Sequence, residues 1–190
     1  MIRIVAGELR GRRLAVGPGV RPTTERAREA LLSILSTRLP EARVLDAAAG
    51  SGALGFEALS RGAREVVFVE ADRRVARVLS ANLEALGVGR RAAVVVRAVE
   101  AFLRVDAPRG FDLVLFDPPW ASPVTAVLGG LWESLAPGGT FVIERGSGEE
   151  PWPGAPVAPD VRRYGTTTFF LYRRPAAAFA EAIDPLDPRE

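Results

Sequence analysis

The chain contains no cysteine and no histidine, and all 25 of its basic residues are arginine. Without cysteine there is neither a disulfide framework nor a thiolate metal site, and a cytoplasmic location is expected. Without histidine, a histidine general base, a histidine metal ligand and a Ser-His-Asp triad are all excluded. The lack of lysine goes with a high Ala, Gly and Pro content and reads as the bias of a GC-rich coding sequence. No apolar run approaches the roughly 20 residues that a membrane-spanning helix needs. The opening residues, Met1-Ile2-Arg3-Ile4-Val5, lack the apolar core of a signal peptide.

What is present suits one domain with a single sizeable core: 190 residues, 48% of them hydrophobic and 25% charged. The formal charge is only +2, but it is unevenly spread. Residues 1–28 hold seven arginines against Glu8 and Glu25, a net of +5 that leaves −3 on the rest. A polyanion-binding face would have this look, and so would a solvated charged edge.

Short β-like runs at 2–6 and 12–16, around Gly7 and Gly11, suggest a hairpin. A breaker-rich stretch, Pro18 to Thr24, ends in a possible helix-capping threonine. Ala27, Ala30, Leu31, Ile34 and Leu35 then recur at helical spacing, and Pro40 stops the helix. From residue 43 apolar strand-like runs (43–47, 65–70, 92–97, 111–117, 139–144) alternate with helix-like segments (53–61, 72–86, 99–104, 124–135). This rhythm predicts a parallel sheet covered on both faces, with ligands bound beyond the carboxyl ends of its strands. Runs at 160–164 and 167–173, joined at Gly165, would add a closing hairpin and bring the sheet to seven strands. The expected organisation is a basic β-hairpin arm over 1–22, an α/β domain over 23–174 and a loosely ordered tail over 175–190.

After the first strand of the α/β region comes Asp46-Ala47-Ala48-Ala49-Gly50-Ser51-Gly52-Ala53-Leu54-Gly55. Gly50 and Gly52 allow a tight turn and a close approach of backbone to ligand at a helix start. The spacing fits a dinucleotide fingerprint, a pattern weak by itself. Glu70 ends the second strand, where a carboxylate can accept hydrogen bonds from both ribose hydroxyls. Asp46 favours S-adenosylmethionine over a nicotinamide dinucleotide, because a carboxylate before the loop suits a sulfonium and would repel a pyrophosphate. Ala48, Gly50, Ser51 and Gly52, with Asp46, Glu70 and Ala71, are the candidate cofactor contacts of this region.

The fourth strand ends in Asp117-Pro118-Pro119-Trp120. Two prolines fix the backbone and remove two N–H groups. The loop therefore offers acceptors in excess of donors, the Asp117 carboxylate and the Pro118 carbonyl. Such a pair suits an exocyclic base amine, whose lone pair is delocalised into the ring until both hydrogens are held. Trp120 supplies a flat face for an extruded base. A nicotinamide oxidoreductase would leave this loop unexplained, and a non-catalytic RNA-binding or assembly factor would not need it.

Asp117-Pro118-Pro119-Trp120 resembles the (Asp/Asn)-Pro-Pro-aromatic signature of amino-group methyltransferases. Up to about residue 173 the chain resembles the RsmD family of bacterial 16S ribosomal RNA guanine-N2 methyltransferases. The likeness rests on Arg3-Ile4-Val5-Ala6-Gly7-Glu8, Arg10-Gly11-Arg12, Arg21-Pro22-Thr23-Thr24 running to Arg28-Glu29-Ala30-Leu31, and Ala49 to Gly55. It continues through Glu57-Ala58-Leu59-Ser60-Arg61-Gly62-Ala63, Phe68-Val69-Glu70, Asn82-Leu83, Asp117-Pro118-Pro119 and Tyr164-Gly165. The resemblance implies a Rossmann-like class I S-adenosylmethionine methyltransferase: a seven-stranded, mostly parallel sheet with helices on both faces and a small N-terminal β-hairpin. Its implied substrate is 16S ribosomal RNA in an assembled or partly assembled small subunit. Arg10, Arg12 and Arg13 would contact phosphates, and Arg21, Thr23 and Thr24 would border the substrate entrance. Where relatives often carry Asp or Asn beside the adenine, this chain has Arg97-Ala98-Val99, so a backbone acceptor at Ala98 or Val99 would have to serve. Methylation of adenine N6 or cytosine N4 in DNA is the alternative within the same chemistry, and the chain is short for a separate target-recognition domain. No metal is implied, and a monomer is the default expectation.

Overall fold

A computed structural model describes residues 1–20, 23–105, 109–118 and 125–176. Strands β1 (Ile2–Arg3) and β2 (Arg13–Leu14) form a two-stranded antiparallel ladder. Helix α1 (Glu25–Ile34) follows, then a 3₁₀ turn at Ser36–Arg38. The α/β succession comprises β3 (Arg43–Ala47), α2 (Ala53–Ser60), β4 (Glu65–Glu70), α3 (Arg73–Leu86), β5 (Ala92–Val96) and α4 (Val99–Val105). It continues with β6 (Phe111–Phe116), α5 (Thr125–Glu133), β7 (Leu135–Gly146), β8 (Asp160–Tyr164) and β9 (Thr167–Arg173).

The helices start where the residue types require. The Thr24 hydroxyl accepts from the Ala27 N–H at 3.3 Å, capping α1. The Asp72 carboxylate accepts from the Arg74 N–H at 2.7 Å, capping α3, and Gly87 at φ 70° ends that helix. Val75, Ala76, Leu79, Leu83 and Leu86 line the buried side of α3 at three- and four-residue spacing.

The seven-stranded sheet has the order β5-β4-β3-β6-β7-β9-β8. Strands β3 to β7 are parallel and β9 runs antiparallel between β7 and β8. The expected doubly covered, mostly parallel sheet is thus the observed one. Among the strands of this sheet the largest difference is in β7, which runs over Leu135–Gly146 and not over 139–144. Leu135 pairs with Phe111, and the register then slips so that Thr140 pairs with Leu113. A bulge absorbs Ala136-Pro137-Gly138-Gly139, residues that read as a break in the sequence.

One face of the sheet packs α1, α2, α3 and the hairpin; the other packs α4, α5 and the Trp152 segment. Ile2, Ile4 and Leu14 belong to the first of these cores, so residues 1–20 are docked on the domain and do not stand apart from it. From there the chain climbs along α3. The Arg12 guanidinium donates to the Ala85 carbonyl at the foot of the helix, at 2.6 Å. Ala15 exchanges two hydrogen bonds with the Asn82 side chain, and Gly17 packs on Val75. Val20 reaches Gly50 of the glycine loop.

The strand order reverses between β3 and β6. In such sheets the crevice beyond the carboxyl ends at this switch point is where ligands bind.

Candidate active site

The loop after β3 turns through three left-handed residues, Ala48 (φ 60°), Gly50 (φ 54°) and Gly52 (φ 71°). An alanine in this region costs roughly 1–2 kcal/mol, a local strain characteristic of functional loops. The loop is latched by Ala49 N–H donating to the Val69 carbonyl (2.9 Å) and Gly52 N–H to the Ala49 carbonyl (2.7 Å). Glu70, at the tip of β4, accepts from Gly50 N–H at 2.9 Å and, through its other oxygen, from Asp72 N–H at 2.8 Å. Each oxygen keeps a second lone pair for a ligand hydroxyl.

The glycines differ in what they serve. A Cβ on Gly52 would stand 2.4 Å from Leu79 Cδ2, and one on Gly55 2.4 Å from the Phe68 ring, so both permit helix packing. A Cβ on Gly50 would meet only Val20, at 3.4 Å. Gly50 is therefore the position whose open side a ligand can use. Ser51 is buried, and its hydroxyl accepts from Ala53 N–H at 3.3 Å.

Asp46 lies beneath the loop, not on its surface. It is 2% exposed, and its Oδ2 accepts from Gly55 N–H in the first turn of α2 at 3.0 Å. Burial drives its pKa well above the usual carboxylate range, and the nearby Asp117 and Glu70 add to the rise. Its effect on a ligand would be exerted from below, through the helix start it orients.

Across the switch point, Asp117 follows the last residue of β6 and Pro118 is buried. Phe116 pairs with Ile143, which sets Asp117 and Glu144 of β7 side by side. Glu144 is 4% exposed. The Thr23 hydroxyl stands between them, 2.8 Å from Glu144 Oε2 and 3.2 Å from Asp117 Oδ2. Burial raises Asp117 to about 6 against the lowering effect of Thr23. Burial and the charge of Asp117 raise Glu144 to about 8, against hydrogen bonds from Thr23 and Thr167.

Glu70, Asp46, Asp117 and Glu144 thus come from the carboxyl ends of four neighbouring strands, β4, β3, β6 and β7. Among the described residues no arginine forms an ion pair with any of them. The described residues also contain no group of acidic side chains that could hold a metal ion. An edge lined by acidic side chains and, among the described residues, short of positive charge fits a cationic organic ligand such as an adenosyl sulfonium. Beyond Glu70, Ala71 and Ala98 are exposed and Val99 is buried, so the surface between the ends of β4 and β5 is open to a flat ring.

The family described as conserved hypothetical protein 95 matches residues 2–173. The chain belongs to this family. It is 43% identical over 121 residues to the ribosomal RNA small subunit methyltransferase D of Escherichia coli K12, a match covering 63% of this chain and 60% of that protein. The aligned stretch therefore spans less than two thirds of that relative. Among solved structures, Escherichia coli yhhF superposes with a TM-score of 0.81 at 36% identity, covering 92% of this chain and 98% of that one. The Thermus thermophilus hypothetical protein TTHA0928 gives 0.79 at 35% identity, covering 90% and 98%. Membership of the conserved hypothetical protein 95 family thus accounts for nearly the whole described fold, hairpin included.

The sequence-based site residues divide accordingly. Asp46, Ala48, Gly50, Ser51, Gly52, Glu70, Ala71, Asp117 and Pro118 gather around the switch point, and Thr23 joins them from the N-terminal segment. Ala98 and Val99 lie one strand further out, and Thr24 is occupied as the cap of α1. Arg21, Pro119 and Trp120 lie outside the described residues, as does the tail from residue 177. Arg10, Arg12 and Arg13 do not join the site: Arg12 sits at the far end of α3, a helix of 14 residues, or about 21 Å at 1.5 Å per residue. Sequence reasoning missed Glu144. Its signal was available, since Phe141-Val142-Ile143-Glu144 ends an apolar strand in a carboxylate as Phe68-Val69-Glu70 does.

Proposed function

We propose that this protein transfers a methyl group to the exocyclic N2 amine of a guanine in 16S ribosomal RNA, within an assembled or partly assembled small subunit in the cytoplasm. The carrying observation is the position of Asp117 and Pro118, across the switch point from the Gly50 loop and Glu70, in a chain of this family. S-adenosylmethionine, when bound, supplies a methyl group activated by attachment to a positively charged sulfur.

The chain's own residues do the rest by holding and orienting. Glu70 accepts from the ribose hydroxyls, Gly50 lets the backbone come close, and Asp46 and Ser51 fix the start of α2. Ala71, Ala98 and Val99 border the adenine. The Asp117 carboxylate and the Pro118 carbonyl each accept one amine hydrogen, which favours a pyramidal nitrogen with its lone pair directed outward. Asp117 is also placed to take the proton the nitrogen sheds, because a base with a pKa of about 6 is ionised at neutral pH and close to it. Pro119 and Trp120 are the residue types that would stiffen such a loop and stack a base. Adenine N6 and cytosine N4 present the same two hydrogens, so the choice of guanine rests on the family resemblance.

The test is transfer of a labelled methyl group from S-adenosylmethionine to ribosomal RNA, small subunits and DNA in parallel, with the modified nucleoside identified by mass spectrometry. N2-methylguanosine on small-subunit material is expected. Asp117→Ala should lower turnover by roughly 10²–10³-fold with cofactor affinity largely kept. Wild-type turnover in that variant, or label found only in DNA, would overturn the assignment.

A further inference from the structure

Thr23 faces two carboxyl groups with one hydrogen to give. Its Oγ1 is within hydrogen-bond distance of Glu144 Oε2 at 2.8 Å and of Asp117 Oδ2 at 3.2 Å. A hydroxyl donates once, and an ionised carboxylate only accepts. Two ionised carboxylates cannot both bond to it. Both contacts are hydrogen bonds only if one carboxyl carries a proton and donates it to Thr23.

The surroundings decide which one. Glu144 is 4% exposed, whereas Asp117 is half-buried at the open edge. Glu144 meets Asp117 from β6, Thr23 from the N-terminal segment and Thr167 from β9, and Thr167 bonds to its carboxyl group. Among the described residues no guanidinium compensates it; Arg145, next in the chain, pairs with Glu149 at 2.5 Å. An uncompensated carboxylate beside a second one is the species that burial disfavours. A neutral Glu144 can give its O–H to Thr23 and still accept from Thr167. The raised titration of Glu144, above that of Asp117, runs in the same direction.

We propose that Glu144, as a neutral acid, donates to Thr23, and that the Thr23 hydroxyl thereby points its own hydrogen at Asp117 and holds that carboxylate in place for the substrate amine. Glu144 and Thr23 are then positioning residues. Thr23 acts on Asp117 and not on the RNA. The kinetic part of this inference rests on the methyl-transfer reading above; the protonation of Glu144 does not.

The test uses the full chain with Glu144→Ala, Thr23→Val, the double variant and Glu144→Gln. Glutamine keeps an N–H to give to Thr23 and an oxygen for Thr167. Each of the first two should lower kcat by roughly 10–100-fold, and the double variant should fall no further than the worse single one, because all three break one chain of bonds. KM for cofactor and for RNA should stay within about twofold, and Glu144→Gln should return kcat to within about threefold of wild type. Infrared spectra at pH 7 should show a protonated-carboxyl carbonyl band that shifts with carboxyl-¹³C glutamate and is missing in Glu144→Gln. The ¹³C label separates Glu144 from the buried Asp46.

Multiplicative losses, a Gln variant as slow as Ala, an effect confined to the KM for RNA, or no glutamate-sensitive band would each overturn the proposal. If the wild type methylates none of the nucleic acids offered, the functional reading fails alone. The infrared band still decides for or against a neutral Glu144.

Discussion

Glu57, in the middle of α2, and Glu144, at the end of β7, are 1% and 4% exposed, and each grips the N-terminal segment. Their partners differ. Glu57 accepts from the Val5 N–H at 2.7 Å and pairs with the guanidinium groups of Arg28 and Arg61, both at 3.4 Å. Arg28, itself 1% exposed, also donates to the Arg3 carbonyl at 2.8 Å and so ties the hairpin, α1 and α2 together. Glu144 has two threonine hydroxyls and a second carboxyl group. A buried acid matched by two guanidiniums has its charge fully answered, and it serves the fold. A buried acid that meets only hydroxyls among the described residues is short of positive charge there, a local penalty that recurs where chemistry is done. The fold places the first kind under the hairpin and the second kind at the switch point.

The largest effect expected from this contrast is at Arg28. Arg28→Ala leaves Glu57 buried with half its countercharge, and breaking such a pair costs roughly 3–5 kcal/mol. For a chain of this size that is a fall in Tm of roughly 6–20 °C. Methyl transfer per folded molecule should survive at low temperature, because nothing in the switch-point row touches Arg28. A Tm loss below about 2 °C would mean that the two acids are not held differently after all.

A smaller effect of opposite sign is expected at Glu144. Its folded-state pKa of about 8 lies above the ordinary value of 4.5. The folded chain therefore holds a proton that the unfolded chain releases, and stability falls as pH rises between those values. Glu144→Gln has no proton to lose. Its Tm relative to wild type should climb from pH 5 to pH 8, by a gain of roughly 3–4 kcal/mol at most, or about 6–16 °C. Thermal unfolding of both proteins across that range measures it. A constant difference would show that Glu144 is ionised throughout and that its carboxylate is compensated.

The contrast also explains which parts of the molecule could be read from the sequence. Strands 65–70 and 167–173 are dominated by apolar and β-branched residues, 43–47 holds an apolar pair, and 160–164 is set off by Gly165; the observed limits of all four are the expected ones. The start of β7 was hidden because Pro137-Gly138-Gly139 looks like a turn, whereas a register slip accommodates it within the strand. Asp46, Glu70 and Asp117 were legible because each adjoins a motif. Glu144 has the same place on its strand but no motif after it. The Thr23 bonds were out of reach for a different reason: their partners lie 94 and 121 residues away, a proximity that only the finished sheet creates. Arg28 reads as one more basic residue in an arginine-rich segment, and nothing local signals that it is fully buried.

The same limit applies to the N-terminal charge, and it shapes the smallest effect expected. Counting arginines treats Arg10, Arg12 and Arg13 alike, yet Arg12 is committed to the Ala85 carbonyl, and Arg91, just before β5, already pairs with Glu8 of the hairpin. Arg10 and Arg13 are exposed. They lie toward the foot of α3, so any phosphate they touch belongs to RNA extending well beyond the target base. Arg10→Glu with Arg13→Glu should therefore weaken RNA binding modestly and uniformly, lowering the salt slope by about 1 for each phosphate no longer neutralised. Both kcat and Tm should stay close to wild type, because neither buried acid is involved. Affinity measured across a series of salt concentrations decides the matter. An unchanged slope would make this end of the molecule a solvated edge, with RNA held only near the switch point. A fall in kcat instead would mean that the hairpin and the reaction loop are coupled more tightly than the separation of the two acids implies.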